Sequence, residues 1–379
     1  MSIDDHKKFM TRAMSLALKG QGITAPNPYV GATIVKRGRI VGEGYHRGPG
    51  KPHAEVVALR KAGRSARGST MYLNLEPCCH QGRTGPCSEE IIRAGVSEVH
   101  FAATDPNPLV NGGGARSLRK AGIKVSRGPL TARAIALNEL YRNRYLGSRP
   151  FVTLKTAQTL DGRIAGADGV SQWISGDKCL RLAHTLRAES DAVVIGAATA
   201  EADNPQLTVR KTRGTNPYRI VLSTSGRINP QLRLFRENND RRTIVALSAK
   251  RIPRELREIR GLIIWQVEHG PDGLLLADLL RKAWDYGINS MLVEGGGRVS
   301  TSFLREELVD RHIMVIAPMA LGEGPSAIQD FGHSTIKSAL RYKNSKFEQC
   351  GNDIVFTGYP IFDNIPSRNK PSRNGLKAN

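Results

Sequence analysis

Residues 52–87 read PHAEVVALRKAGRSARGSTMYLNLEPCCHQGRTGPC. The stretch opens on Pro52, which suits a helix start. The following HAEVVALRKAG predicts a helix ending at Gly63, with His53 and Glu55 in its first turn. STMYLNLEP predicts a strand, and PCCHQGRTGPCSEEIIRAG a loop running into another helix. A His and two Cys thiolates suit a tetrahedral Zn²⁺ that keeps one position open for water. A glutamate beside such an ion, but not bound to it, is what a hydrolytic deaminase needs to move protons. Taken singly, His53 reads as a helix cap and Cys78 and Cys87 as small buried hydrophobes. Taken together, H-x-E followed by P-C and a second Cys is a metal pattern. Cys79 and His80 are rival ligands by position. Cys87 is preferred, because the intervening HQGRTGP can loop back.

Working outward, residues 6–19 place Phe9, Ala13, Met14, Ala17 and Leu18 at helical spacing. Pro26 and Pro28 then break the chain and hold Asn27 extended. Asn27 is either a turn residue or a donor to a base edge. Two short strands follow around the turn Lys36–Gly38. SEVHFAATDPNP reads as a strand ending in a Pro-bounded loop, AGIKVSRG as a short strand, and LTARAIALNELYRNRYLG as one helix. This alternation predicts a mostly parallel sheet with helices on both faces.

The pattern restarts near Gly147–Pro150, which predicts a second α/β domain. PFVTLKTAQTLDG is its first strand and 177–188 its first helix. DAVVIG, PYRIVLST, RRTIVALS, GLIIWQV, INSMLVEGGG, RHIMVIAP and DIVFTGYP are further strands. The boundaries expected are 1–147, 148–360, and a basic tail, 361–379, whose polar, Pro-containing composition predicts disorder.

The chain has 379 residues, enough for two domains. Five Cys, three of them clustered, with no export signal at the N-terminus, predict metal binding over a disulfide framework and a cytoplasmic protein. No run approaches a membrane span. The net charge of +22 raises the question of a nucleic-acid partner. The Lys and Arg are dispersed, however, so phosphorylated small molecules and solvated surface account for them better. The rival enzyme is an RNA base deaminase with an added nucleotide-binding domain. A third reading is a closed, structural zinc module on a nucleotide-binding regulator.

In the second half, Gly295, Gly296 and Gly297 precede a helix, but the spacing is not G-x-G-x-x-G. IVLSTSGR ends a strand in hydroxyls and Arg227 with no acidic residue, which suits a 2′-phosphate.

The general deaminase signature has P-C-x-x-C; here GRTGP separates Cys78 from Cys87. HAE at 53–55, EPCCHQGRTGPC at 76–87, DPNP at 105–108 and TAPNPYVG at 24–31 resemble the deaminase half of the bifunctional riboflavin-biosynthesis deaminase-reductases. LKTAQTLDGRIA (154–165), SQWISG (171–176), LRAESDAVVIGAATAEADNPQLTVR (186–210) and LVEGGGRVSTSFL (292–304) resemble the reductase half. Gly85, where the family usually has Pro, and Thr33, where it often has Cys, depart from the pattern.

The resemblance implies an N-terminal cytidine-deaminase-like αβα sandwich and a C-terminal dihydrofolate-reductase-like α/β domain. It implies one Zn²⁺ per chain on His53, Cys78 and Cys87, with Glu55 as catalytic proton shuttle. Asn27, His46, Asp105 and Asn107 would lie around the pyrimidine, and Arg83 would meet the substrate phosphate. NADPH contacts are implied at Ala157, Trp173, Thr199, Asp203, Thr224 and the run Gly296, Gly297, Arg298, Val299, Ser300, Thr301 and Ser302. Substrate contacts are implied at Ser171, Arg187, Leu207, Arg210 and Glu294, with Lys155 near the ribose. The partners implied are phosphoribosyl-pyrimidine substrates and further copies of the chain in a homo-oligomer, with no specific nucleic acid and no membrane.

Overall fold

The computed structural model describes residues 2–81, 85–270 and 273–362. Helix α1 (Ile3–Ala17) starts at Ser2, whose hydroxyl and the Asp5 carboxylate cap each other's backbone N–H groups. A hairpin follows, β1 (Gly31–Lys36) and β2 (Arg39–Tyr45), then α2 (Ala54–Ala62), β3 (Thr70–Leu75), α3 (Cys87–Arg93), β4 (Glu98–Ala103), α4 (Gly113–Lys120) and β5 (Lys124–Arg127). The sheet order is β2-β1-β3-β4-β5. Only β3, β4 and β5 run parallel; β1 pairs antiparallel with both β2 and β3. The expectation of a mostly parallel sheet therefore fails for its first half. Arg37 and Gly38 both take positive φ in a tight turn, and so short a connection joins antiparallel strands only. The hairpin lies close against helices: a Cβ on Gly31 would sit 2.0 Å from the Ala13 carbonyl oxygen.

The single helix expected over 130–147 is two: α5 (Thr131–Leu137) and α6 (Glu139–Leu146). Asn138 breaks them. Its buried amide accepts from the Tyr29 N–H at 2.7 Å and donates to the Tyr29 carbonyl at 3.0 Å, as a strand neighbour would. This pins the TAPNPYVG loop against the start of α6.

The second half runs β6 (Phe151–Thr159), α7 (Asp177–Glu189), β7 (Ala192–Gly196), α8 (Ala197–Asp203), β8 (Tyr218–Leu222), α9 (Arg233–Arg236), β9 (Thr243–Leu247), α10 (Arg254–Arg257) and β10 (Ile263–Gln266). A two-residue ladder, β11 (His269–Gly270) with β12 (Gly273–Leu274), precedes α11 (Leu276–Asp285), β13 (Ser290–Val293), α12 (Gly297–Arg305), β14 (Arg311–Ala317), β15 (Arg341–Cys350) and β16 (Asp353–Ile361). The nine-stranded sheet has the order β10-β9-β8-β7-β13-β6-β14-β16-β15. The seven strands from β10 to β14 are parallel, and the β15–β16 hairpin closes the edge antiparallel. AVVIG, TIVAL and SMLV are buried throughout, as strands covered on both faces must be. Phe303 of α12 is fully buried in this core, worth roughly 2–3 kcal/mol relative to exposure. Ile361 pairs with Arg341 and belongs to β16, so the sheet runs one residue past the expected boundary at 360; residues 363–379 of the expected tail lie outside the described residues.

The two halves meet at the amino ends of the parallel strands. Asp191 before β7 and Ser290 at the start of β13 line one small cavity together with Asn27, Tyr29, Asn138 and Arg144. Glu294 and the glycines that follow it lie at the opposite, carboxyl end of β13.

Candidate active sites

His53 is the N-cap of α2, one position before the first turn where the sequence placed it, and its side chain makes no capping hydrogen bond. The ring turns instead to the loop after β3. Its Nδ1 lies 3.1 Å from Cys87 Sγ and 3.6 Å from Cys78 Sγ. The three ligand atoms all fall within 4.8 Å of one another. A tetrahedral zinc with bonds of about 2.1 Å to N and 2.3 Å to S needs ligand atoms roughly 3.5–3.8 Å apart, so the set is close to that spacing. Cys87 begins α3, and its backbone N–H points at Cys78 Sγ at 3.4 Å. The Cys87 thiol, the His53 ring and this N–H all push the Cys78 thiol well below its ordinary range, although burial opposes them. Cys79, one of the two rivals, turns away, its Sγ 3.6 Å from the Leu109 carbonyl.

Glu55 sits in the first turn of α2 and is almost fully buried. Burial raises its carboxyl to about 7, against the pull of His53. Its Oε2 is buried with no hydrogen-bond partner among the described residues. Such an acceptor is costly unless something polar joins it. An orphaned carboxylate oxygen beside a His/Cys/Cys set fits a zinc site that brings water to the carboxylate.

A cavity of about 470 Å³ gathers Asn27, His46, His53, Glu55, Cys78, Asp105 and Asn107. The Asn27 amide donates to His46 Nε2 at 3.0 Å, and His46 Nδ1 faces the Pro52 carbonyl at 3.3 Å. These partners fix the neutral tautomer with its proton on Nδ1, and burial lowers the ring's basicity further. Asp105 Oδ1 accepts from the Asn107 N–H and the Tyr141 hydroxyl, both at 2.9 Å. Arg83 lies outside the described residues. Tyr141, Arg144 and Tyr145 of α6 also line the cavity. Sequence reasoning missed them. Their i, i+3, i+4 spacing was available as a signal, but α6 was read as the tail of a longer helix.

At the carboxyl end of the second sheet, β13 delivers Glu294 to Arg187 of α7, with Nη2 2.6 Å from Oε2. Burial pushes the Glu294 carboxyl up, but Arg187 and Lys155 pull it below its ordinary value. Burial lowers Lys155 despite Glu294. Ser171 donates to Asp203 at 2.7 Å, which ties its loop to the last residue of α8. Leu207 is buried with φ 53°, and the backbone N–H of exposed Arg210 donates to His184 Nδ1 at 3.0 Å. Ala157 faces Val315 in the β6–β14 ladder. Trp173 is 69% exposed, so it is no core residue.

The Gly296 N–H donates to the Thr199 hydroxyl at 3.1 Å. A Cβ on Gly297 would lie 2.2 Å from the Ser326 carbonyl oxygen, and one on Gly295 would lie 2.6 Å from Val299 Cβ. The turn is therefore built for close backbone approach, and it opens nine-residue α12. Arg298 is exposed and Ser302 half-buried. Ser300 and Thr301 are buried, with Ser300 donating to the Gly295 carbonyl and Thr301 accepting from Gln329 N–H. Their side chains are thus engaged, which leaves backbone N–H groups at the helix start for an anion. Thr224 is exposed just past β8, between Ser223 and Ser225, with no carboxylate among these three. Glycines, a helix start and hydroxyls fit a dinucleotide carrying an extra phosphate.

A family profile described as the cytidine and deoxycytidylate deaminase zinc-binding region matches residues 3–103, and one described as the RibD C-terminal domain matches residues 150–356. The chain is 42% identical to riboflavin biosynthesis protein RibD of Aquifex aeolicus, covering 92% of this chain and 97% of that one. To RibD of Escherichia coli K12 it is 39% identical, covering 91% and 97%. It superposes on solved Acinetobacter baumannii RibD with TM-score 0.81 at 36% identity, covering 95% of this chain and all of that one. A Thermotoga maritima structure described as a diaminohydroxyphosphoribosylaminopyrimidine deaminase/5-amino-6-(5-phosphoribosylamino)uracil reductase matches with TM-score 0.78 at 34% identity, covering 95% and 99%. An RNA base deaminase with an unrelated second domain is not favoured, because both halves match in one order. With its zinc-binding half and its reductase half each matched, the chain belongs to the RibD family of bifunctional riboflavin-biosynthesis deaminase-reductases.

Proposed function

We propose that residues 1–147 deaminate 2,5-diamino-6-(5-phosphoribosylamino)pyrimidin-4-one, and that residues 148–360 reduce the ribosyl group of 5-amino-6-(5-phosphoribosylamino)uracil to ribityl. The single observation that carries the first step is the orphaned Oε2 of Glu55 beside His53, Cys78 and Cys87. Zinc on those three residues supplies the Lewis acidity that makes water nucleophilic near neutral pH. Glu55 takes one proton from the attacking water and passes it to the ring nitrogen; it then takes the remaining proton from the new hydroxyl group and gives it to the amino group, which leaves as ammonia as the carbonyl forms. Its raised basicity suits it to both directions of transfer near pH 7. Asn27 and His46, fixed by each other, and Asp105, fixed by Asn107 and Tyr141, orient the pyrimidine. Arg83 is assigned to the phosphate.

In the second step NADPH supplies the hydride. The backbone of Gly296–Ser302 and the side chains of Thr199 and Thr224 hold it, with Ala157, Trp173 and Asp203 along its length. Arg187, held by Glu294, and Arg210 take the substrate phosphate and sugar with Ser171, Leu207 and Lys155. The enzyme is further read as a cytoplasmic homo-oligomer that takes small molecules and no specific nucleic acid. Among the described residues, no helix is long and apolar enough to cross a membrane.

A coupled assay tests the assignment by following ammonia and NADPH absorbance separately. A chelator should abolish ammonia release from the diamino-pyrimidine and leave NADPH oxidation on the amino-uracil intact. Loss of both signals together would refute the division of labour.

A further inference from the structure

We propose that Arg144 of α6 is a further contact for the phosphate of the deaminase substrate, and that Asp191 of the reductase half holds Arg144 in position for it. The proposal rests on the deaminase reading above.

Among the described residues, Lys51 and Arg144 are the only Lys or Arg that line the cavity around Glu55. The carboxylates there other than Glu55 are already engaged. Glu76 accepts from the Gly112 and Ala115 N–H groups at 2.9 and 3.0 Å. Asp105 accepts from Asn107 and Tyr141. Neither is therefore placed to neutralise a cation at the cavity wall.

Arg144 has its ion-pair partner across the junction. Its Nη2 lies 3.6 Å from Asp191 Oδ1, near enough for attraction but beyond ordinary hydrogen-bond length. Asp191 cannot move closer without loss. Its Oδ2 accepts from the Asn289 N–H at 2.9 Å and from the Ser290 N–H and hydroxyl at 3.1 Å. The guanidinium thus keeps donors unspent, and it is about 30% exposed. A planar fork with spare donors on a cavity wall is suited to a bidentate phosphate.

The helix face gives a second, independent argument. Tyr141 and Arg144 are one turn apart on α6 and line the same cavity. Tyr141 donates to Asp105, which the deaminase reading places at the pyrimidine ring; Arg144 would meet the charged end. Arg144 also lines the small cavity that contains Asp191 and Ser290, so it stands in the wall between the two halves.

The test uses the zinc-loaded full chain. Deaminase kinetics are measured for wild type, Arg144→Ala, Arg144→Lys and Asp191→Asn, on the phosphorylated pyrimidine and on its dephosphorylated analogue. Reductase turnover on the same preparations reports folding. Arg144→Ala should raise KM for the phosphorylated substrate at least about tenfold with kcat within about threefold. Arg144→Lys should recover part of the loss, and Asp191→Asn should raise KM about threefold. On the dephosphorylated analogue all four proteins should agree. An unchanged KM in Arg144→Ala, or an equal rise on both substrates, overturns the proposal. If wild type releases no ammonia from the phosphorylated substrate, the deaminase reading falls and this proposal with it, a result distinct from either of those.

Discussion

Arg187 and Glu294 meet through two nitrogens and two oxygens: Nη2 lies 2.6 Å from Oε2, and Nε lies 3.2 and 3.1 Å from Oε1 and Oε2. Both side chains are largely buried. Removing one partner of such a pair strands a charge in the protein. Arg187→Ala should therefore cost about 3–5 kcal/mol in urea unfolding and reduce NADPH turnover on the amino-uracil by more than about a hundredfold. Ammonia release at 25 °C should stay within about twofold, because neither residue lines the cavity around Glu55. A stable variant with normal turnover would remove the pair from the substrate site.

Glu55→Gln keeps the shape of the side chain but ends its proton transfer. Ammonia release should fall by about 10²–10⁴. Zinc content should stay near one per chain by metal analysis, since the proposed ligands are His53, Cys78 and Cys87. Cys87→Ser should instead lose the metal. Deamination by Glu55→Gln at the wild-type rate would refute its role as proton carrier.

The close approach at Gly297 can be tested with one methyl group. A Cβ there would overlap the Ser326 carbonyl oxygen, at 2.2 Å. Gly297→Ala must shift the start of α12 or the backbone at Ser326. The Michaelis constant for NADPH should rise about tenfold or more, with deamination unchanged. An unaltered constant would mean that the cofactor does not approach this turn.

His312 carries a pH dependence. Burial alone lowers its basicity from 6.5 to about 4. The unfolded chain therefore binds the proton that the folded chain refuses between those values, and stability falls as pH drops from about 6.5 towards 4. Unfolding in urea at pH 7 and pH 4.5 measures the loss. His312→Gln, which cannot take the proton, should show a fall smaller by about 2–3 kcal/mol. Equal falls in both proteins would assign the acid sensitivity elsewhere.

Local chemistry made much of this chain legible before its structure. The apolar runs AVVIG, TIVAL and SMLV announced strands, and burial on both faces explains their lack of polar alternation. The grouping of His53, Cys78 and Cys87 was legible because zinc demands few residue types at narrow spacing. Strand β15 was not. RYKNSKFEQC is mostly exposed, and Phe347 is 69% exposed, so no hydrophobic period marks it. Its conformation comes from backbone pairing with β16, which one segment alone does not display. Helix α8 was also missed, since no element was read between DAVVIG and PYRIVLST. The division at Asn138 was illegible for a related reason. Asn is tolerated within helices, and only the Tyr29 backbone, more than a hundred residues upstream, makes it a break. The role of α6 in the cavity followed from that break and was lost with it.

The deaminase half abuts the amino ends of the parallel strands, while the glycine turn stands at their carboxyl ends. Loops at the carboxyl ends can thus lengthen, shorten or change residue without touching the junction. The junction, in turn, draws on Asp191 and Ser290, which no part of the hydride chemistry requires. Mutational drift in one mouth is insulated from the other by the length of the strands, so each activity is free to adapt on its own while the single chain keeps the two in equal amounts.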